Sequence, residues 1–364
     1  MVVRARPQRA GPVLLALLVS LLVVPGCGGA GRSSDDTAAV RAAQRFLSRY
    51  VDPDGRVVRR DQGGDIVSEG VGYALLVSVA IGDRASFDRV WGWASGHLLQ
   101  PSGVLASRWA DGSVADVHSA GDADLQVAWA LARAGRLWGS RYTAAATSLA
   151  RAAADQDIGY DDAGKPLLSA GSWAKGGDHN ALTAEPGYWT APAVDALAAL
   201  TGDNRWRALN ASDAATLTAL TGGGAELPPD WVSAGGGGAA APSPDPTTHQ
   251  APQCGQDGLR AVVWSALDPA LAPVAARWSS MLAPHATTTP LALDLHGTVV
   301  DGAKGPLIAV AAAAAAHAAG DSGTVRKDLT VADGTAATYV TYYGSAWDAL
   351  GRLLLTTDRL RERR

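Results

Sequence analysis

Residues Ser119 to Trp138 read SAGDADLQVAWALARAGRLW, and this stretch decides the fold class. Two carboxylates, Asp122 and Asp124, open a long alanine-rich apolar run with helical spacing. Asp122, Gln126 and Trp129 fall on one side at i, i+4 and i+7. Leu125, Ala128, Leu131 and Ala132 fall on the neighbouring side at core spacing. Asp122 has two readings at this point. It caps the helix, because an acid near an N-terminus satisfies free N–H groups and suits the dipole. Alternatively it sits beside an aromatic ring at the mouth of a helix bundle, as a sugar-handling site requires. There the acid positions a hydroxyl or a charged transition state, and the ring stacks on the pyranose face.

Outward from this stretch the pattern is helix upon helix. Helical spacing covers 37–50, 68–81, 84–99, 142–155, 190–200, 205–220, 257–267, 270–282, 305–319 and 339–356. No alternating strand series interrupts it, and β-like hints are short. About ten to twelve helices in antiparallel succession, with long loops between some of them, predict an all-α fold of the α/α toroid type. The run 235–252, GGGGAAAPSPDPTTHQAP, is low-complexity and reads as a mobile surface loop. It is flanked by helices of similar character, so residues 37–364 read as one domain. The apolar run from Ala309 to Ala319 is too short for a membrane span and reads as a buried helix.

Composition narrows the function classes. The chain of 364 residues is 47% hydrophobic and 18% charged, which suits a large packed core. A net charge of −4 and the lack of a basic aromatic patch argue against nucleic acid. Twelve Trp against two Phe is a lopsided aromatic set that suits stacking on carbohydrate. The seven His show no HxxxH or HExxH spacing, and no phosphate-binding GxxxxGK(S/T) loop occurs, so neither metal nor cofactor is expected.

The N-terminus reads as an export signal over residues 1–27. Arg4, Arg6 and Arg9 form its basic start and Val13 to Val24 its apolar stretch. Val24-Pro25-Gly26-Cys27 is similar to a bacterial lipobox, which makes Cys27 the lipidated first residue; Pro25 is unusual there and leaves plain secretion as the alternative. A short tether, residues 28–36, follows, and Cys254 is left without a disulfide partner. These features place the protein outside the cytoplasmic membrane.

Three acids stand at the starts of helices that follow loops. Glu69, in SEGVGYALL, is one turn before Tyr73; a Glu at a pocket mouth can hold its proton and act as general acid. Asp257, in QDGLR, is one turn before Arg260. As plain structure, each is a dipole-friendly acid near a cap, with a local ion pair in the second case. If helices alternate around a barrel, Glu69, Asp122 and Asp257 converge on one rim. A glycosidase needs that arrangement, with one acid to protonate the leaving oxygen and a second carboxylate to activate water.

Several segments carry a family resemblance. SEGVGYALLVSVAIGDRASFDRVWGW resembles the opening catalytic segment of glycoside hydrolase family 8. AGDADLQVAWALARAGRLW resembles that family's A-(S/T)-D-(A/G)-D signature and its closing Trp, here Trp138. QDGLRAVVW resembles the later Y-D-A-x-R segment, and EPGYWTAP, PDW, KGP and TYYGSAWDALGRL match further segments in family order. The resemblance spans residue 37 to the C-terminus and is strongest to compact endoglucanases associated with bacterial cellulose synthesis. It implies an (α/α)6 barrel and hydrolysis with inversion. It assigns Glu69 as general acid, Asp257 as general base and Asp122 as the acid that holds the distorted sugar. Trp109, Tyr188 and Trp189 fall near segments that line the cleft, and Tyr73, Asp124 and Arg260 complete the set assigned to substrate.

Five positions depart from the family pattern: Val71, Gly121, Glu185, Gln256 and Gly258, where Gln, Ser or Thr, Asn, Tyr and Ala are usual. The expected activity is that of an extracytoplasmic, monomeric endo-β-1,4-glycanase acting on a cellulose-like polymer, with xylan and chitosan as alternatives. The rival expectation is a catalytically weak, lipid-anchored polysaccharide-binding protein that assists polymer synthesis or export, in association with the synthesis machinery.

Overall fold

The computed structural model describes residues 33–176, 181–235 and 238–361. The proposed signal, Cys27 and the tether up to residue 32 lie outside the described residues. In chain order the helices are Ser34–Tyr50 (α1), Ser68–Ile81 (α2), Arg84–His97 (α3), Gly121–Trp138 (α4) and Ser140–Gln156 (α5). They continue as Ala191–Thr201 (α6), Asn204–Leu220 (α7), Gln256–Leu267 (α8), Ala272–Arg277 (α9) and Ser279–Leu282 (α10). Leu307–Ala318 (α11), Ser322–Thr338 (α12) and Tyr342–Thr356 (α13) complete the series.

Six of these helices form a closed inner ring. α2 packs on α4, α4 on α6, α6 on α8, α8 on α11, α11 on α13, and α13 back on α2. Sequence explains which helices go inside. α11 reads LIAVAAAAAAHA, with every residue from Leu307 to Ala316 buried, and α2 is buried from Gly70 to Ala80. A helix apolar on all sides needs neighbours on all sides, and alanine lets their backbones approach closely. The outer helices α1, α3, α5, α7, α9 and α12 bury one face each, as α5 does through Tyr142, Ala146, Leu149, Ala150 and Ala153. Inner and outer helices in alternation make an (α/α)6 barrel.

The two ends of the barrel are built differently. Connections from inner to outer helices are a few residues long, and three contain a left-handed glycine, Gly82, Gly202 and Gly320, with φ of 78°, 67° and 79°. Positive φ is cheap for glycine and closes a helix within one residue. Five connections from outer to inner helices are long, and every strand of the described residues lies in them; the sixth, from α12 to α13, is only residues 339–341. Those strands make four small sheets: Ile66–Val67 with Arg108–Ala110 and Ser113–Asp116; Ile158–Tyr160 with Pro166–Leu168; Leu182–Ala184 with Val232–Gly235 and Gly238–Pro242; and Pro290–Leu293 with Val299–Lys304. All pairings are antiparallel. The N-termini of all six inner helices therefore open onto one elaborated face.

Four expectations need correction. Helix α1 starts at Ser34, capped by the Ser33 side chain, so the last part of the expected tether is helical. The segment 270–282 is two short helices broken at Trp278, whose indole is fully buried and donates to the Glu226 carbonyl. The expected mobile loop 235–252 contains a paired strand: Ser233 is in register with Ala241, and Ser243 N–H donates to the Trp231 carbonyl. Strands are short but more numerous than the sequence suggested, because hairpins of two to six residues bury too little to show a clear alternation.

Candidate active site

Each of the three acids is set by the first turn of an inner helix. Ser68 N–H donates to the Ser107 carbonyl and fixes the start of α2, which places Glu69 on the barrel rim. Gly70 is required beside it, since a Cβ there would stand 2.1 Å from the Tyr342 hydroxyl. α4 begins after Ala120 without a side-chain cap, and Asp122 in its first turn is held by Arg260. α8 is capped from a distance: Asp230 of the PDW segment accepts from Gly255 N–H at 2.8 Å and Gly258 N–H at 2.7 Å. Gly121 and Gly258 have local reasons. A Cβ would lie 2.6 Å from the Ser169 carbonyl in the first case and 2.4 Å from the Pro228 carbonyl in the second.

The acids meet on one side chain. Arg260 is 1% exposed, and its Nη1 lies 2.9 Å from Glu69 Oε2, from the Tyr73 hydroxyl and from Asp122 Oδ2. Nη2 lies 2.5 Å from Asp257 Oδ1 and 3.8 Å from Glu185 Oε2. The Tyr188 and Tyr343 rings lie 5.0 and 5.9 Å from its Cζ. A planar guanidinium with a fixed fork suits this work, because it holds several acids at set angles to one another.

Exposure separates the acids into two kinds. The Glu69 and Asp257 side chains are 21% and 30% exposed, whereas Asp122 and Glu185 are 0% and 5%. Only the first two reach solvent on the elaborated face. Bonded to the two nitrogens of one guanidinium, their nearest oxygens stand no more than about 8 Å apart, an upper bound that admits a glycosidase acid pair. Burial pushes the Glu69 carboxyl up to about 7 against the opposing pull of Arg260, with Asp122 and Asp257 adding to the rise. Burial likewise raises Asp122 to about 6 and holds Glu185 well above the usual carboxylate range. A carboxylic acid that keeps its proton to neutral pH beside a second carboxylate is what proton donation to a leaving oxygen needs. Among the described residues no three His, Cys, Asp or Glu side chains are arranged as metal ligands; these carboxylates converge on a guanidinium instead.

The profile of the Glycosyl hydrolases family 8 matches residues 30–357. The chain belongs to glycosyl hydrolase family 8. An endoglucanase of Cellulomonas uda is 33% identical over 200 residues, 54% of this chain and 55% of that protein. A probable endoglucanase of Novacetimonas hansenii is 31% identical over 192 residues, 52% of this chain and 56% of that protein. The matches thus span about half the length of these curated relatives. Among solved structures, a family 8 endo-β-1,4-glucanase from an Achatina fulica gut metagenomic library superposes with a TM-score of 0.71 at 27% identity. It covers 88% of this chain and 98% of that one.

Within this family 8 barrel, Glu69, Asp122, Asp257 and Arg260 form one cluster, with Tyr73 and Tyr188 against the guanidinium. Arg260 and Tyr73 were expected to bind sugar but are buried; the Tyr73 hydroxyl accepts from Arg260 and from the Trp347 indole at 3.2 Å. Asp124 faces away: its Oδ1 accepts from Leu105 N–H at 2.9 Å, and it is buried against Asp157. Trp189 is 5% exposed and donates its indole N–H to the Leu168 carbonyl, inside the core. Trp109 is half-buried on the elaborated face, edge-on to Trp93 and His97 at 5.7 and 5.2 Å.

Three residues were missed as members of the site: Glu185, Asp230 and Tyr343. Glu185 carried a usable signal, since it too is an acid at the entry to a turn that leads into an inner helix.

Proposed function

We propose that the protein is an inverting endo-β-1,4-glucanase. Glu69 donates its proton to the glycosidic oxygen as the C1–O bond breaks. On the opposite face of the ring, water attacks C1 and gives a proton to Asp257. Asp122, buried on Arg260 Nη1 beside Glu69, anchors the guanidinium that aligns the acid, and Tyr188 and Trp109 offer ring faces for stacking. The observation that carries this reading is the division of labour on Arg260: two partly exposed carboxylates on its two nitrogens, with the remaining acids buried. The similarity to endoglucanases supports β-1,4-glucan as substrate.

The same reading places the protein outside the cytoplasmic membrane, held through Cys27 by lipid or released by simple cleavage, and working as a monomer. No helix of the described residues is long and apolar enough to cross a membrane. The test is reducing-end release from a soluble β-1,4-glucan by wild type, Glu69→Gln and Asp257→Asn. Wild-type release falls by at least about a thousandfold in either variant while each stays folded. Release undiminished in Glu69→Gln refutes the assignment of the acid. Polymer binding with no release by wild type transfers the conclusion to a polysaccharide-binding protein.

A further inference from the structure

Glu185 is the last extended residue before the turn Pro186–Tyr188, and it enters the guanidinium cluster from a different loop than the other acids. Its Oε2 is 3.8 Å from Arg260 Nη2, the nitrogen that also binds Asp257. The charged and titratable groups that face it are Asp257 and Arg260 from α8, Asp122 from α4, and Tyr188 from its own turn, which hydrogen-bonds it. Four carboxyl groups thus share one guanidinium in a site with little water. Ionising all four would leave several buried negative charges uncompensated, which is costlier than keeping protons on some of them. Glu69 has one proton to hold for the leaving oxygen. Asp122 has a 2.9 Å bond to Nη1 and Asp257 a 2.5 Å bond to Nη2. Glu185 has the longest contact with the cation and is nearly sealed from solvent, so it has the weakest claim to a negative charge.

We propose that Glu185 is a positioning residue for the base: a neutral carboxylic acid packed beside Asp257 that leaves Arg260 Nη2 to a single carboxylate. An ionised Glu185 would compete for Nη2 and draw Arg260 away from Asp257. A neutral Glu185 instead hydrogen-bonds within the cluster, supports Tyr188 over the guanidinium and keeps the Asp257 carboxylate aimed at the cleft. Burial holds its carboxyl above the usual range, in keeping with this role.

The assignment of Asp257 as base rests on the proposed function, and the test separates the two. Glu185→Ala lowers kcat by about a hundredfold with little change in KM, because the base is misaligned while sugar contacts remain. Glu185→Gln, a neutral isostere, recovers most of that loss and keeps both limbs of the pH–rate profile where wild type has them. The wild-type-minus-Glu185→Gln infrared difference spectrum near neutral pH shows the carbonyl band of a protonated carboxylic acid. Both limbs moving to lower pH in Glu185→Gln, with an ionised-carboxylate band in the difference spectrum, overturns the proposal. So does wild-type kcat in Glu185→Ala. If wild type hydrolyses no β-1,4-polymer, the proposed function fails, and the infrared arm still decides the state of Glu185.

Discussion

Replacing Arg260 by Lys is the sharpest perturbation of the site, because it keeps the charge and removes the fork. The guanidinium serves the acid side through Nη1 and the base side through Nη2 at once. A lysine ammonium is a single point and reaches one side only. Nη1 carries Glu69, Asp122 and the Tyr73 hydroxyl, so the ammonium settles there and Asp257 loses its partner. One charged hydrogen bond contributes about 1.5–3 kcal/mol. At 1.36 kcal/mol per tenfold, kcat falls by about ten- to a hundredfold. KM changes little, since Arg260 is 1% exposed and has no free edge for a sugar. Steady-state kinetics on soluble β-1,4-glucan, with circular dichroism to confirm folding, measures both. Wild-type kcat in Arg260→Lys would refute the claim that the fork aligns the pair. A loss confined to KM would show instead that Arg260 touches substrate.

Other outcomes follow from the same geometry. Activity falls as pH rises through about 7, where Glu69 loses the proton it must donate, and a pH–rate profile of kcat/KM measures that limb. A rate still rising at pH 9 contradicts the assignment. The buried Asp157, raised to about 7 by burial beside Asp124, makes stability pH-dependent. Its folded value lies above its unfolded one, so the contribution is complete below about pH 4 and disappears as pH rises through about 7. Asp157→Asn keeps the Ser119 hydroxyl bonded and removes that loss, so urea midpoints of variant and wild type diverge in the variant's favour from pH 5 to pH 8. An equal offset at both pH values argues against a titrating pair. Gly258→Ala restores the residue usual in the family yet destabilises this chain by about 1–3 kcal/mol, because its Cβ meets the Pro228 carbonyl. A thermal midpoint equal to wild type would show that this loop yields freely.

Much of the fold was legible because inner-barrel helices have no polar face. Runs such as Leu307–Ala316 and Gly70–Ala80 announce burial on every side, and the short glycine-closed turns between inner and outer helices mark antiparallel succession. The acids were legible for a related reason: Glu69, Asp122 and Asp257 each interrupt an apolar run at its first turn. Less legible was what lies behind them. From sequence, Arg260 reads as a local ion-pair partner of Asp257 and a substrate residue, whereas acids from three other segments also hold it inside. Asp124 is assigned to substrate with Asp122 because both stand in the same family segment, two residues apart. On a helix that spacing points side chains to different faces, and Asp124 turns toward Leu105 and Asp157. Trp189 shows the limit of composition, since an indole equipped for stacking is spent on the Leu168 carbonyl in the core.

The central claim is that Glu69 and Asp257 act on opposite faces of one glycosidic bond. Proton NMR of the first products from a soluble β-1,4-glucan, recorded before mutarotation, tests it most directly. The α-anomer appears first and then relaxes toward equilibrium. The β-anomer appearing first would contradict it.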